Sequence, residues 1–316
     1  MSQPKPTRAA IVLAFAIVYL IWGSTYLGIR FAIESIPPLL MAGTRYSLAG
    51  VLLYGFMRLR GAPRPPLSGW LTALIIGSCL LTCGNGGVTL GEQYIPSGMA
   101  SLLVATVPLF LALLGWLSGL AARPTLRVSV GLLFGMAGVY LLARNPGASH
   151  VALPGHRIIG IGLVLGAAFL WAIGSLYSKK KQASPSPFVG GGMQMICGGL
   201  LMVLLGLLRG EASAFDFAAI TAKSWMAYAY LVTFGSIVAF TAYIWLLRAV
   251  EPALAGTYAF VNPVVAVLLG WAFAGEALNV QMLGGAALIV TAVVLVVLGG
   301  AKKAEPVAEE ELVKSK

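Results

Sequence analysis

Ten apolar runs, most of them about the length of one bilayer crossing, constrain this chain more than any other feature. They fall at 9–29, 39–57, 70–90, 98–119, 128–143, 158–178, 188–208, 224–247, 253–274 and 281–300. A helix needs about 20 mostly apolar residues to cross a hydrocarbon core. The fifth run is short for that; the rest suffice. Prolines and arginines punctuate them: Pro37 and Pro38 after the first, Arg58, Arg60, Pro63, Arg64, Pro65 and Pro66 after the second, and Pro96, Pro124, Pro146, Pro185 and Pro252 later. Only 10% of the residues are charged against 59% hydrophobic. That charge cannot clothe a water-facing surface, whereas lipid tolerates such a surface if every backbone group is paired inside a helix. The sequence therefore predicts an all-α integral membrane protein whose solvent partner is the lipid bilayer.

The net charge of +11 does not make it a nucleic-acid binder, because the basic residues sit in short clusters between the apolar runs. With the N-terminus inside, fifteen of the 21 Lys and Arg fall in inside segments, five outside, and Arg45 lies within the second run. This bias places both termini in the cytoplasm and requires an even number of spans. Lys5 and Arg8 precede the first run as they would in a signal peptide, but the run is too long and no A-x-A site follows, so it is read as a retained helix. Residues 301–316, with Glu309, Glu310 and Glu311 in a row, read as a disordered cytoplasmic tail.

The chain also matches itself. Gly23-Ser24-Thr25-Tyr26 recurs as Gly174-Ser175-Leu176-Tyr177, with Trp22 before the first copy and Trp171 before the second at a spacing that differs by two. Pro108, Gly115 and Trp116 recur with the same spacing as Pro263, Gly270 and Trp271. The expected organisation is an N-terminus (1–8), a first five-helix repeat (9–143), a connecting loop (144–157), a second five-helix repeat (158–300) and the tail. Five is odd, so the second half must run through the membrane upside down relative to the first. Inverted repeats of this kind enclose a central site near the midplane in many secondary transporters.

The residues then reach a family. Ile21-Trp22-Gly23-Ser24-Thr25-Tyr26, Pro37-Pro38, Met41-Ala42-Gly43-Thr44-Arg45-Tyr46, Gly84-Asn85-Gly86, Glu92-Gln93, Pro96-Ser97-Gly98, Tyr258-Ala259-Phe260-Val261-Asn262-Pro263 and Gly275-Glu276 together resemble the EamA type of the drug/metabolite transporter superfamily, over about 11–299. The resemblance implies ten helices in two repeats, a central cavity, and export of amino acids, other metabolites or drugs across the bacterial cytoplasmic (inner) membrane. It leaves the substrate and the oligomeric state open, a monomer included. One corner departs from symmetry: Gly275-Glu276 has no counterpart after the fourth run, where Ala121-Ala122-Arg123 stands.

Candidate cavity residues are Trp22, Ser24, Tyr26, Trp171 and Ser175, which repeat between the halves; the structural alternative is an interfacial aromatic belt. Asn262, with Tyr258 one turn earlier, puts an amide at mid-membrane, where it must find a partner, either a neighbouring helix or substrate. Asn85 lies in a glycine-rich stretch whose plainer role is close helix packing. Arg45 sits six residues inside Leu39, about 9 Å below the outer boundary. Placing Arg at a helix centre costs about 2.5–3.5 kcal/mol on insertion scales. It either snorkels to the headgroups or, as a cavity residue, faces the interior, pairs with Glu92 (the nearest acid by topology and itself a cavity candidate) or with backbone carbonyls, and orients an anionic substrate group or holds the outer gate. Pro108 and Pro263 are expected to bend the fourth and ninth helices and to serve gating.

Glu34, Glu92, Glu211, Asp216, Glu251 and Glu276 all fall at run ends or in loops, so a proton relay would have to use one of these. Cys79, Cys83 and Cys197 read as packing residues, since no ligand set surrounds them. There is no Walker A motif, and His150 and His156 share one loop, so no metal, cofactor or ATP-driven chemistry is expected. A membrane-embedded enzyme and a non-transporting scaffold are the alternatives to a transporter, but no cluster of nucleophile, base or metal ligands supports the enzyme.

Overall fold

The structure is a computed structural model that describes residues 6–91, 94, 95, 100, 103–143, 157–274 and 280–300. Among the described residues the helical stretches run in chain order as α1 (Arg8–Ala32), α2 (Pro38–Leu59), α3 (Leu67–Gly91), α4 (Val107–Leu117), α5 (Leu126–Ala143), α6 (Arg157–Lys180), α7 (Pro187–Leu208), α8 (Ala222–Ala249), α9 (Tyr258–Ala274) and α10 (Val280–Gly300). Stretches within α1, α2, α3, α6, α7 and α8 are long and apolar enough to cross a membrane, while Val107–Leu117, Leu126–Leu141 and Leu283–Gly299 are shorter apolar helices. Large side chains such as Leu13, Leu20, Phe56, Leu71, Leu204 and Val294 face outward, as a lipid-facing surface requires.

Local chemistry sets the helix ends. Thr7 caps α1 by accepting from the Ala10 amide at 3.2 Å. Pro38 and Pro187 open α2 and α7 at the first helical position, where the missing N–H is no loss. Gly61, Gly119 and Gly210 follow α2, α4 and α7 with φ of 84°, 70° and 80°. These left-handed turns favour glycine and stop the helices.

Glycines also set the closest packing. On α2, a Cβ at Gly50 would lie 2.7 Å from the Gly192 carbonyl oxygen of α7, and one at Gly43 would lie 2.6 Å from the Val203 nitrogen. On α5, a Cβ at Gly138 would lie 2.7 Å from the Gly285 oxygen of α10. Without a hydrophobic drive between helices in lipid, such approach is what holds them. The packing is mirrored: α2 lies on α7, α5 on α10, α1 against α8 and α9, and α6 against α3 and α4.

Two features depart from the sequence reading. First, α3 and α8 are not uniform α-helices: each contains a π-helical stretch, Ser78–Asn85 in α3 and Leu231–Phe240 in α8. Apolar periodicity does not announce these widened turns, which frequently mark functional sites. Second, the fourth run is not one continuous helix. The chain turns at Ala105 and Thr106, the Thr106 amide donating to the Leu103 oxygen at 3.1 Å, and α4 starts at Val107. Pro108 therefore occupies the first turn of α4 rather than the middle of a helix, and the fourth run breaks directly before it. Pro263 does lie inside α9, which follows a short helical turn at Pro252–Ala255.

Candidate functional site

Where α1, α6, α8 and α9 converge, four rings meet. Trp22 lies 4.7 Å from Tyr258, 5.1 Å from Tyr243 and 5.8 Å from Trp171, centroid to centroid. Trp171 lies 5.7 Å from Tyr243 and 6.5 Å from Tyr258, and the two tyrosines are 5.3 Å apart at 81°. All six pairs are tilted or edge-on, the geometry that sets the positive edge of one ring against the negative face of the next. Tyr243 is fully buried, and Tyr258 and Trp171 are nearly so. The rings point into the bundle and fill the space between the four helices in this conformation; they do not form an outward belt.

Hydrogen bonds fix this cluster. Ser175 Oγ donates to the Trp171 carbonyl at 2.7 Å. With that proton committed, Ser175 can only accept from Tyr243 Oη, also at 2.7 Å. Trp171 Nε1 in turn donates to Tyr243 Oη at 3.0 Å, and Tyr258 is a further partner of the same hydroxyl. The side-chain polar atoms of Trp171, Ser175 and Tyr243 are thus paired, as burial demands.

Each indole is also seated on a π-helical stretch. Trp22 Nε1 donates to the Gly235 carbonyl of α8 at 3.1 Å. Trp171 packs on α3 at Gly84, where a Cβ would stand 2.8 Å from its Cε3. The two tryptophans therefore rest on the widened turns of α8 and α3. Ser24 and Ser175 also behave alike. Ser24 Oγ donates to the Ile21 carbonyl at 2.7 Å and accepts from Tyr230, so both serines take a tyrosine from α8. Tyr19 donates to Thr257 Oγ1, whose own proton goes to the Leu254 carbonyl at 2.7 Å.

The other sequence candidates lie around this centre or away from it. Asn262 is 3% exposed and its Oδ1 has no partner. Asn85 is half-buried at the end of the π-helical stretch of α3. Arg45 is 3% exposed, its Nε has no hydrogen-bond partner, and its Cζ lies 4.2 Å from the Tyr46 ring centroid. Among the described residues the one ion pair joins Lys223 to Glu34 at 2.7 Å. Glu92, the expected partner of Arg45, lies outside the described residues, as do Gln93, Pro96-Ser97-Gly98, Gly275-Glu276, both histidines, the tail and the side chain of Tyr26. The glycine-rich stretch packs α3 on α6: a Cβ at Gly87 would stand 3.0 Å from Ala167 Cβ.

Sequence reasoning missed Tyr243, Tyr230, Gln194, Ser236 and Thr241. Gln194 Oε1, Ser236 Oγ and Thr241 Oγ1 are buried without partners. The available signal was polarity inside apolar runs: each of these residues sits within a span and needs a reason to be there.

Comparison with known proteins follows the same lines. A family model described as the EamA-like transporter family matches residues 9–144 and again 158–298. The chain is 43% identical over 283 residues to a protein of Escherichia coli (strain K12) named as an uncharacterized inner membrane transporter, YedA, covering 89% of each. It is 27% identical over 293 residues to a protein of Salmonella typhimurium named as a probable amino-acid metabolite efflux pump, covering 90% of this chain and 93% of that one. A solved crystal structure with 19% sequence identity superposes with a TM-score of 0.78, covering 95% of this chain and all of the other. That last likeness concerns the fold alone.

Proposed function

The chain belongs to the EamA-like transporter family, and from that premise we propose that it exports small metabolites, amino acids or related compounds and drugs among them, across the cytoplasmic membrane by alternating access. We read α1–α5 and α6–α10 as two inverted five-helix halves with both termini cytoplasmic. The two separate family matches, the mirrored packing of α2 on α7 and α5 on α10, and the basic bias of the inside loops support that reading. In this reading the residues that meet substrate are Trp22, Ser24, Tyr26, Asn85, Trp171, Ser175, Tyr258 and Asn262, joined by Tyr243.

The observation that carries the proposal is the four-ring cluster. Trp22 comes from the first half and Trp171, Tyr243 and Tyr258 from the second, so parting the halves opens the rings to substrate and closing them occludes the path. Flat apolar faces with a few hydroxyls suit small amphipathic molecules. Efflux of radiolabelled amino acids and aromatic metabolites from preloaded proteoliposomes tests it: the expected result is saturable efflux that falls at least tenfold in Trp171→Ala. Equal rates with and without protein for every compound would overturn the transport mechanism, and a reporter fused after Lys303 that works only on the outer side would overturn the topology.

A further inference from the structure

We propose that Arg45 is the anion-recognising subsite of this transport path, taking the carboxylate of an amphipathic substrate whose apolar part lies toward the rings; this rests on the transport reading above. Arg45 is 3% exposed, so it does not snorkel to water, and its Nε has no partner. No carboxylate lies within ion-pair distance of it among the described residues. A guanidinium kept permanently charged in such a place is costly unless an anion completes it, and its planar fork matches a carboxylate in two parallel bonds.

Its surroundings fix the direction in which it is presented. The Tyr46 ring lies beneath the guanidinium at 4.2 Å, and that ring in turn touches Phe240 of α8 at 6.4 Å. Tyr228, in the first turns of α8, lies beside Thr44 and Arg45 of α2. The charge is therefore held between α2 and α8 and faces α8. Along α8 the next unpartnered polar group toward the rings is Ser236 Oγ, fully buried. It adjoins Gly235, the residue that holds Trp22. Tyr228 and Gly235 are seven residues apart, about 10 Å at the helical rise. A molecule with a carboxylate at one end and a ring or branched chain at the other spans that distance, with Ser236 as a donor on the way.

The test uses the full chain in phosphatidylcholine nanodiscs, with tryptophan fluorescence reporting binding of 3-phenylpropionate, 3-phenylpropanol and 3-phenylpropylamine. The native chain should bind the carboxylate at least tenfold more tightly than the alcohol or the amine. Arg45→Gln and Arg45→Ala should collapse the carboxylate-to-alcohol ratio to about one, Arg45→Lys should keep part of it, and added guanidinium should restore part of it in Arg45→Ala. Native binding with no preference, or a preference that survives in Arg45→Gln, overturns the inference and leaves transport standing. Absence of binding by all three overturns it as well, and absence of any proteoliposome efflux with it overturns the transport reading. Two controls separate other sources of the anion. Loss of the preference when phosphatidylglycerol is added assigns Arg45 to a lipid headgroup, and a preference seen only in Glu92→Gln assigns it to that carboxylate; either result overturns the inference.

Discussion

Tyr243 Oη donates to Ser175 Oγ at 2.7 Å, and this single bond decides the polarity of the whole ring cluster. Because the serine proton is committed to the Trp171 carbonyl, the tyrosine must give and the indole must give to the tyrosine. Tyr243→Phe removes the shared oxygen and leaves Trp171 Nε1 buried without its acceptor. The expected cost is about 1–3 kcal/mol of stability, the penalty of an unsatisfied buried donor. A thermal-shift assay in detergent checks it, with Ser175→Ala expected to cost less because the tyrosine hydroxyl keeps its other partners.

The α2–α7 contact has no slack. A Cβ at Gly50 would meet the Gly192 oxygen at 2.7 Å and the Ile196 nitrogen at 2.7 Å. Both are backbone atoms, so Gly50→Ala must part the helices rather than turn a side chain. Overpacking of this kind costs about 1–3 kcal/mol. The expected outcome is a reduced monodisperse yield on fluorescence-detected size exclusion. Gly55→Ala, which meets nothing within 4 Å, should behave as the parent protein does.

Glu211, in the turn after α7, ties that segment to the start of α2. Its carboxylate accepts from the Leu39 amide at 3.2 Å and the Leu40 amide at 2.9 Å, two of the donors that a helix start leaves unpaired. A negative charge there is also favoured by the helix dipole. Glu211→Ala should cost about 0.5–2 kcal/mol, the range of a lost helix cap. Hydrogen exchange at Leu39 and Leu40 should quicken by about two- to thirtyfold, the equivalent of that cost, and unchanged exchange would show that the cap contributes nothing.

Much of this arrangement is legible in the amino-acid sequence, and the parts that are not have physical reasons. Trp22, Trp171, Ser175 and Tyr258 stand out because they are aromatic or hydroxyl residues in apolar runs, and the fold brings them into one cluster. Tyr243 lies outside the two self-matching motifs, so self-comparison passes over it. The self-similarity has a cleaner mark than the tryptophan and mid-run proline motifs. Pro38–Leu59 and Pro187–Leu208 are both 22 residues long. Each begins with proline and ends in Leu-Arg-Gly, as Leu59-Arg60-Gly61 and Leu208-Arg209-Gly210. The π-helical stretches are invisible in the sequence because they shift the hydrogen-bond ladder without changing which residues are apolar.

The two repeated prolines, alike in sequence, should behave differently when replaced. Pro108 sits in the first turn of α4, directly after the turn at Ala105 and Thr106. No intrahelical bond is lost at that position, since the first amides of a helix have no partner within it. Pro263 stands inside α9, one residue beyond Asn262, whose Oδ1 has no partner, and five beyond Tyr258 of the ring cluster. There it removes an amide donor and crowds the carbonyl four residues earlier, at Ala259, in the turn that carries Tyr258. If α9 bends at this point when the rings part, Pro263→Ala should stiffen it and slow efflux by about tenfold, equivalent to about 1.4 kcal/mol on the barrier. Pro108→Ala should change the rate less than twofold. The comparison is made on the same proteoliposome efflux, normalised to reconstituted protein. Equal slowing by both substitutions would return the gating role to the fourth helix as well, and no slowing by either would leave Pro263 as a packing residue.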